Sequence, residues 1–184
     1  MKNLIIKNSE DIYSGASKLF EIEPKFLDAV VVCDLPKLRT QETGFEALFK
    51  IIVSQQLSVA SAAAIWQKLV HNKFTLAKSV LEADENKLRK LGLSRTKISY
   101  AKNLASTELN YDSLSQKSNT EIINELTNIK GIGLWSAQIY LMFSLRRADI
   151  FAPGDLALQE GSRILFDITK RPAFSELDYL SRLW

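Results

Sequence analysis

The sequence has few of the residues that cross-link a chain or hold a metal ion. One cysteine, Cys33, and one histidine, His71, occur among its 184 residues. A single cysteine cannot form an internal disulfide, a four-cysteine zinc site or a four-cysteine iron–sulfur cluster. Cys33 follows Val30 and Val31 in an apolar stripe, which predicts a buried small hydrophobe. The scarcity of cysteine predicts a reducing, cytoplasmic location.

Glycine, proline and long apolar runs are also scarce. Seven glycines and four prolines exclude a collagen-like or low-complexity chain. The longest apolar runs are far shorter than the roughly 20 residues that a membrane span needs. Lys7 interrupts the N-terminal apolar residues before a signal-peptide core develops, so we predict no membrane partner. Hydrophobic residues make up 46% of the chain, which excludes intrinsic disorder.

The net charge of +3 is distributed unevenly along the chain. Residues 87–147 contain ten Lys and Arg against four Asp and Glu, whereas the segments on either side are slightly acidic. A basic middle segment favours a local anionic partner. A solvated helical face explains the same bias equally well, so charge alone leaves both interpretations open.

Apolar periodicity predicts helices almost throughout, and no segment alternates convincingly as a strand does. Ser58, Asp84 and Ser94 are N-cap candidates, and Gly92 fits the position after a helix C-terminus. The fold class is therefore all-α. We expect helices over residues 9–20, 24–32, 45–55, 59–71, 85–91, 95–109, 135–145 and 155–167, with others from 119 and from 175 onward.

The most informative stretch lies where one helix ends at Thr127 and the next begins near Trp135. Gly131 and Gly133 stand one residue apart between them, and glycine permits the positive φ of a tight turn. The amides of both glycines and of the next helical turn, which includes Ser136, are expected to point outward. Unpaired amides at a helix N-terminus bind anions, and a DNA phosphate suits them. A plain tight turn accounts for the two glycines as well.

A similar turn precedes the helix that begins near residue 95. Gly92 is followed by the N-cap candidate Ser94, with Lys97 in the first helical turn. This arrangement predicts a second phosphate contact through Gly92, Ser94 and Lys97. An ordinary capped turn is the competing interpretation.

About twenty residues after the hairpin, Pro153-Gly154-Asp155 precedes an apolar helix. Asp155 is expected to cap that helix. Capping leaves the negative charge in place, so the same carboxylate can face DNA held by the hairpin. There it could stabilise a sugar cation or align a water.

These motifs resemble those of the helix-hairpin-helix DNA glycosylases, in particular the DNA-3-methyladenine glycosylase II branch. The resemblance rests on residues 129–137 and 153–155, and on residues 45–58 and 88–97. It covers about residues 40–184. It implies two helical lobes with an active-site cleft between them. Residues 1–44 plus 149–184 would form a discontinuous lobe, and 45–148 a helical barrel lobe with the hairpin.

The resemblance also implies an activity and residue roles. The chain would be a monofunctional glycosylase that flips out alkylated purines of the 3-methyladenine type and hydrolyses their N-glycosidic bond. Asp155 would be catalytic, Trp135 would line the base pocket, and Gln56 with Leu57 would fill the gap left by the flipped base. A core tryptophan and a polar pair at a helix end are the alternatives for these last positions. Trp135 stands where lyases carry a Schiff-base lysine, so no lyase activity is expected.

The implied partner is double-stranded DNA with alkylated bases, bound by a monomer. No cofactor is expected, because one cysteine cannot hold the iron–sulfur cluster of a related branch. Whether the hairpin carbonyls bind a monovalent cation stays open. Two other functions also stay open, a non-catalytic helix-hairpin-helix DNA-binding module and a glycosylase for deaminated bases. Residues 181–184 resemble the start of a segment that leads into a final helix in relatives, so the resemblance implies that residues 1–184 are one helix short of the complete glycosylase core.

Overall fold

The computed structural model describes residues 4–184, and the all-α prediction is confirmed there. Within that range twelve helices form and no strand does, apart from one isolated antiparallel bridge between Ile5 and Arg147. None of these helices is long and apolar enough to cross a membrane. The helices are α1 (Ser9–Ile22), α2 (Lys25–Cys33), α3 (Phe45–Ser54), α4 (Val59–His71), α5 (Ala77–Glu82), α6 (Glu85–Lys90), α7 (Arg95–Ser106), α8 (Tyr111–Leu114), α9 (Asn119–Thr127), α10 (Leu134–Phe143), α11 (Leu156–Leu165) and α12 (Phe174–Ser181).

The helices divide into two compact units. One unit comprises the described residues of Met1–Thr40 together with Arg146–Trp184, and the other is the continuous segment Gln41–Leu145. The sequence predicts the boundaries between the two units after residues 44 and 148. In the structure they lie a few residues earlier, after Thr40 and Leu145. The chain therefore leaves the first unit once, builds the second, and returns to complete the first.

Helix α3 is the centre of the continuous unit. It packs against α4, α7 and α10. Six of its ten side chains are buried, and the Phe49 ring meets the Trp66 ring of α4 edge-on at 5.6 Å. Burial of one large apolar side chain contributes roughly 1.5–3 kcal/mol, so this helix fixes the positions of its neighbours.

The discontinuous unit packs α2 against α1 and α11, and α12 against α11. Phe26 of α2 meets Phe166 edge-on at 6.0 Å and Trp184 at 5.2 Å. The prediction that Cys33 is buried is wrong, because Cys33 ends α2 and is exposed. Its neighbours Val31 and Val32 are 79% and 83% exposed, so the apolar stripe at this end of α2 faces outward.

Two short helices and one helix end depart from the expected pattern. The helices α5 and α8 have six and four residues, too few for a clear apolar period. Helix α7 ends at Ser106 instead of near Leu109. The hydroxyls of Ser106 and Thr107 both donate to the Asn103 carbonyl, each at 2.9 Å, in place of continued helical bonding.

Candidate functional site

The predicted hairpin lies between α9 and α10 in the continuous unit. The Ile132 amide donates to the Ile129 carbonyl at 2.9 Å and closes a four-residue turn. Gly131 is the third residue of this turn and has a φ of +106°, as a type II turn requires. Ile129 and Ile132 are buried, and their side chains anchor the hairpin.

A second property of Gly131 could not be seen in the sequence. A Cβ added at this position would lie 2.3 Å from Tyr100 Cγ and 2.4 Å from Tyr100 Cβ. Tyr100 belongs to α7, so the side chain of one helix packs directly onto the hairpin backbone. Only glycine allows this approach together with the positive φ.

Gly133 has a different role from Gly131. It is the N-cap of α10 with φ −91° and ψ 177°, an extended conformation open to any residue, and a Cβ there would meet no atom within 4 Å. The amides of Gly131, Gly133 and Leu134 have no hydrogen-bond acceptor among residues 4–184. They stand at the positive end of a ten-residue helix, which is the arrangement that binds a phosphate.

The side chain of Ser136 is buried and hydrogen-bonded within the protein. Ser136 is 2% exposed, and its Oγ accepts a hydrogen bond from Gln55 Nε2 at 3.0 Å. A phosphate outside the hairpin cannot reach a hydroxyl that is buried and bonded in this way, which leaves only the backbone amide of Ser136 for that role. Gln55 lies in the motif of residues 45–58, but its neighbours in the sequence do not distinguish its role from that of Gln56.

The second glycine turn forms as predicted. Gly92 follows the C-terminus of α6 with a φ of +109°, and a Cβ there would lie 2.9 Å from Ile65 Cγ1. Ser94 caps α7, since its Oγ accepts from the Lys97 amide at 3.2 Å. Gly92 and Ser94 are both exposed.

The Lys97 ammonium has a partner within the protein, and its phosphate contact stays a prediction. Lys97 Nζ donates to the Val53 carbonyl, in the last turn of α3, at 2.7 Å. Burial lowers the pKa of Lys97, as expected for an ammonium drawn toward the interior. The charge therefore stabilises the C-terminus of α3, where the helix dipole favours a cation.

The predicted wedge residues lie on the turn between α3 and α4. Gln56 is exposed with a φ of +56°, and Leu57 is 40% exposed. A positive φ is uncommon for a residue other than glycine. Trp135, the candidate pocket residue, is half-buried in the first turn of α10.

Asp155 lies in the discontinuous unit and is the N-cap of α11, as predicted. Its Oδ1 accepts from the amides of Ala157 at 2.8 Å and Leu158 at 3.2 Å. Gln159 Nε2 donates to the Pro153 carbonyl at 2.8 Å and ties the first helical turn back to the Pro-Gly segment. The carboxylate is thus held at the positive end of a helix, half-buried, with its orientation fixed by two backbone amides.

The charged surface of the continuous unit has no metal-ligand cluster. Within residues 4–184 no three His, Cys, Asp or Glu side chains come close enough to hold a metal ion. Lys130 in the hairpin turn and Arg95 beside the Gly92 turn are both exposed. Each glycine turn therefore carries a basic side chain next to its helix N-terminus.

Comparison with known proteins defines the class to which this site belongs. The family model for the HhH-GPD superfamily of base excision DNA repair proteins matches residues 49–184, which include the hairpin and Asp155. The chain belongs to this superfamily. The hairpin of the family name is the α9–α10 hairpin described above.

Individual relatives agree with this assignment. The chain is 31% identical over 137 residues to DNA-3-methyladenine glycosylase 1 of Schizosaccharomyces pombe, covering 70% of this chain and 60% of the relative. It is 37% identical over 144 residues to the DNA-3-methyladenine glycosylase of Saccharomyces cerevisiae, covering 70% of this chain and 49% of the relative. The chain thus spans about half to three-fifths of the length of these relatives.

A solved structure supports the same fold. The 3-methyladenine DNA glycosylase of Schizosaccharomyces pombe, solved in complex with abasic DNA, is similar to this chain with a TM-score of 0.84 and 27% identity. The similarity covers 92% of this chain and 88% of that one. The helical fold is therefore shared over nearly the whole chain.

Proposed function

We propose that this chain is a monofunctional DNA glycosylase that hydrolyses the N-glycosidic bond of alkylated purines in double-stranded DNA. The observation that carries the proposal is the combination of unpaired amides at the hairpin with Asp155 held at the N-terminus of α11. Membership of a base excision repair superfamily supports this function, and the names of the relatives support the substrate class.

The hairpin amides at Gly131 and Gly133 would bind a DNA phosphate. The helix N-terminus and the nearby Lys130 favour an anion there. At the second glycine turn the Gly92 amide donates to the Arg89 carbonyl at 2.9 Å, so the Ser94 amide, in front of α7, would bind a second phosphate there. Phosphate contacts carry no sequence information, so the protein would bind any duplex and search it for damage.

Recognition of damage requires the target nucleotide to leave the stack. Gln56 and Leu57 are exposed on the α3–α4 turn and would fill the gap that the base leaves. Trp135 would line the pocket that receives the base. An alkylated purine carries positive charge, and the electron-rich face of an indole attracts a cation by about 0.5–2 kcal/mol.

The chemical step needs little beyond charge stabilisation. When the C1′–N bond breaks, its electron pair goes to the alkylated base, which leaves as a neutral molecule, and positive charge develops on the sugar. The carboxylate of Asp155 would stabilise this charge and accept the proton of the water that attacks C1′. The amides of Ala157 and Leu158 hold the carboxylate in place, so little reorganisation is needed.

The mechanism implies no lyase step, because Trp135 stands at the position where the lyases carry their Schiff-base lysine. We also propose that catalysis needs no cofactor and that the active form is a monomer. A monovalent cation at the hairpin would be held by backbone carbonyls and would support the turn. The Gly131 carbonyl accepts from Gln55 Nε2 and keeps one lone pair for such an ion. The cytoplasmic location stays a prediction.

The test is a release assay with the purified chain on duplexes that each carry one lesion. We expect release of 3-methyladenine and 7-methylguanine above the spontaneous rate, and no strand cleavage at the abasic product. Release of deaminated bases alone would overturn the substrate class. Tight binding to every duplex without any release would leave the DNA-binding module as the function.

A further inference from the structure

One side chain joins the α3–α4 turn to the hairpin. Gln55 follows the last residue of α3 and is half-buried. Its Nε2 donates to the Gly131 carbonyl at 2.9 Å and to Ser136 Oγ at 3.0 Å. These acceptors lie on the turn of the hairpin and on the first turn of α10, so a single amide group contacts both parts of the phosphate-binding module.

We propose that Gln55 is a positioning residue that holds the wedge residues Gln56 and Leu57 in a fixed register with the hairpin. This inference rests on the proposed function, since it concerns how a base is displaced from DNA. Gln55 itself does not touch the reacting atoms.

The turn that Gln55 begins is strained and needs support. The φ of +56° at Gln56 costs a residue other than glycine roughly 1–2 kcal/mol. Such a conformation persists only where the surrounding contacts determine it, and it is often found at functional sites. Here it directs two exposed side chains outward from the end of a buried helix.

The end of α3, just before this turn, is bonded to Lys97. Its ammonium bonds to the Val53 carbonyl, two residues before Gln55, and Lys97 itself belongs to the first turn of α7 after Gly92. Gln55 therefore connects the α3–α4 turn to the hairpin, and Lys97 connects the end of α3 before that turn to the Gly92 turn.

This connection has a mechanical consequence. Phosphates bound at the hairpin fix the position of the DNA backbone, and the wedge must enter the stack at a set distance from them. A displacement of about 1 Å in a functional group can reduce a rate about 100-fold. Loss of the Gln55 donor should therefore impair base displacement while phosphate binding is retained.

The decisive variant is Gln55→Met, which keeps the length of the side chain but removes the donor. Gln116→Met is the matched control, because Gln116 is exposed and its side chain takes part in no hydrogen bond found within residues 4–184. The probe is a duplex with 2-aminopurine beside an abasic-site analogue, whose fluorescence rises when the base unstacks. Fluorescence is read at saturating protein, and affinity is measured separately on an undamaged duplex.

For Gln55→Met we expect the fluorescence rise to fall at least threefold and single-turnover release of 7-methylguanine at least tenfold. Affinity for undamaged DNA should change less than threefold, and Gln116→Met should match the wild type throughout. A purely structural role would lower the thermal midpoint and leave the fluorescence rise of the folded complex intact. That result would overturn the proposal.

A second variant keeps the test decisive if Gln55→Met does not fold. Ser136→Ala removes one of the two acceptors and leaves the Gly131 bond. We expect a smaller loss of fluorescence, and no additional loss when Ser136→Ala is combined with Gln55→Met. Wild-type fluorescence in Ser136→Ala alongside an unfolded Gln55→Met would count against positioning.

The proposed function fails separately from this inference. A wild-type chain that raises 2-aminopurine fluorescence but releases no alkylated base would contradict the glycosylase activity and leave the role of Gln55 measurable. A wild-type chain that binds DNA without any rise in fluorescence would overturn the positioning role itself.

Discussion

Gly131 and Gly133 stand one residue apart, yet the backbone uses them for different reasons. Gly131 needs both a positive φ and the absence of a Cβ, because Tyr100 packs against it. Gly133 needs neither, since its conformation is extended and the space beside it is open. What Gly133 contributes is an unobstructed path to the amides at the start of α10.

This difference gives opposite predictions for two alanine variants. Gly133→Ala should cost at most about 1 kcal/mol of stability, because alanine is a poorer N-cap than glycine. It should weaken binding to damaged and undamaged duplexes alike. Gly131→Ala should lower the thermal midpoint strongly, because its Cβ collides with Tyr100. Thermal unfolding and affinity for both duplexes check these outcomes, and selective loss on damaged DNA alone would contradict a phosphate role for Gly133.

Among individual residues, the sequence predicts a hydrogen bond only where its two partners lie close together in the chain. Ser94 and Asp155 bond to amides two or three residues away, so their capping could be predicted. Lys97 bonds to a carbonyl 44 residues away, and Gln55 to atoms 76 and 81 residues away. A single sequence has no signal for such distant partners, so these hydrogen bonds could not be predicted.

At the level of elements, helix α9 leads into the hairpin and begins with a complete capping box. The Glu121 carboxylate accepts from the Ser118 hydroxyl at 2.6 Å and from the Ser118 amide at 2.8 Å. These two hydrogen bonds, in that order of importance, lower the pKa of Glu121. The cap therefore stabilises the ionised form, and its contribution depends on pH.

The direction of this pH dependence follows from the direction of the pKa shift of Glu121. Because the pKa of Glu121 is lower in the folded chain than in the unfolded one, its stabilisation is complete above about pH 4.5, the ordinary value. It is lost as pH falls through the folded pKa. Glu121→Gln should lower the thermal midpoint at neutral pH, and the difference from the wild type should be smaller at pH 3. An equal difference at both pH values would show that the carboxylate charge is not the cause.

The element boundaries were predicted well where a cap or a glycine marks them. Helix α4 begins after Ser58 and α6 after Asp84, each with a side chain bonded to its first turn. Helix α8 also has a capping residue, Asn110, but only four residues follow it, so no apolar period develops. Short helices are fixed by tertiary packing instead of by their own sequence.

For the molecule as a whole, the basic segment 87–147 lies largely within the continuous unit that carries the hairpin. Its excess of positive charge should make DNA binding depend on salt, because each neutralised phosphate releases counterions. The modest net charge of +3 conceals this local excess.

Lys130→Ala tests whether that charge acts at the hairpin. The slope of log affinity against log salt should become shallower by about 0.9, the value for one phosphate of duplex DNA. Lys78→Ala is the control, since Lys78 is exposed on α5 and pairs with Glu82 at 3.9 Å. Affinity is measured by titration on an undamaged duplex over a range of salt. Equal slopes for both variants and the wild type would exclude a phosphate contact at Lys130.

The most direct measurement compares two aspartates with the same capping geometry. Asp84 caps α6 through Oδ1 at 2.8 and 3.2 Å, as Asp155 caps α11 at 2.8 and 3.2 Å. Asparagine caps as well as aspartate, so both Asp→Asn variants should fold. Single-turnover release of 7-methylguanine should fall roughly 100-fold or more for Asp155→Asn and stay at the wild-type rate for Asp84→Asn. Release by Asp155→Asn at the wild-type rate would contradict the proposed catalytic role.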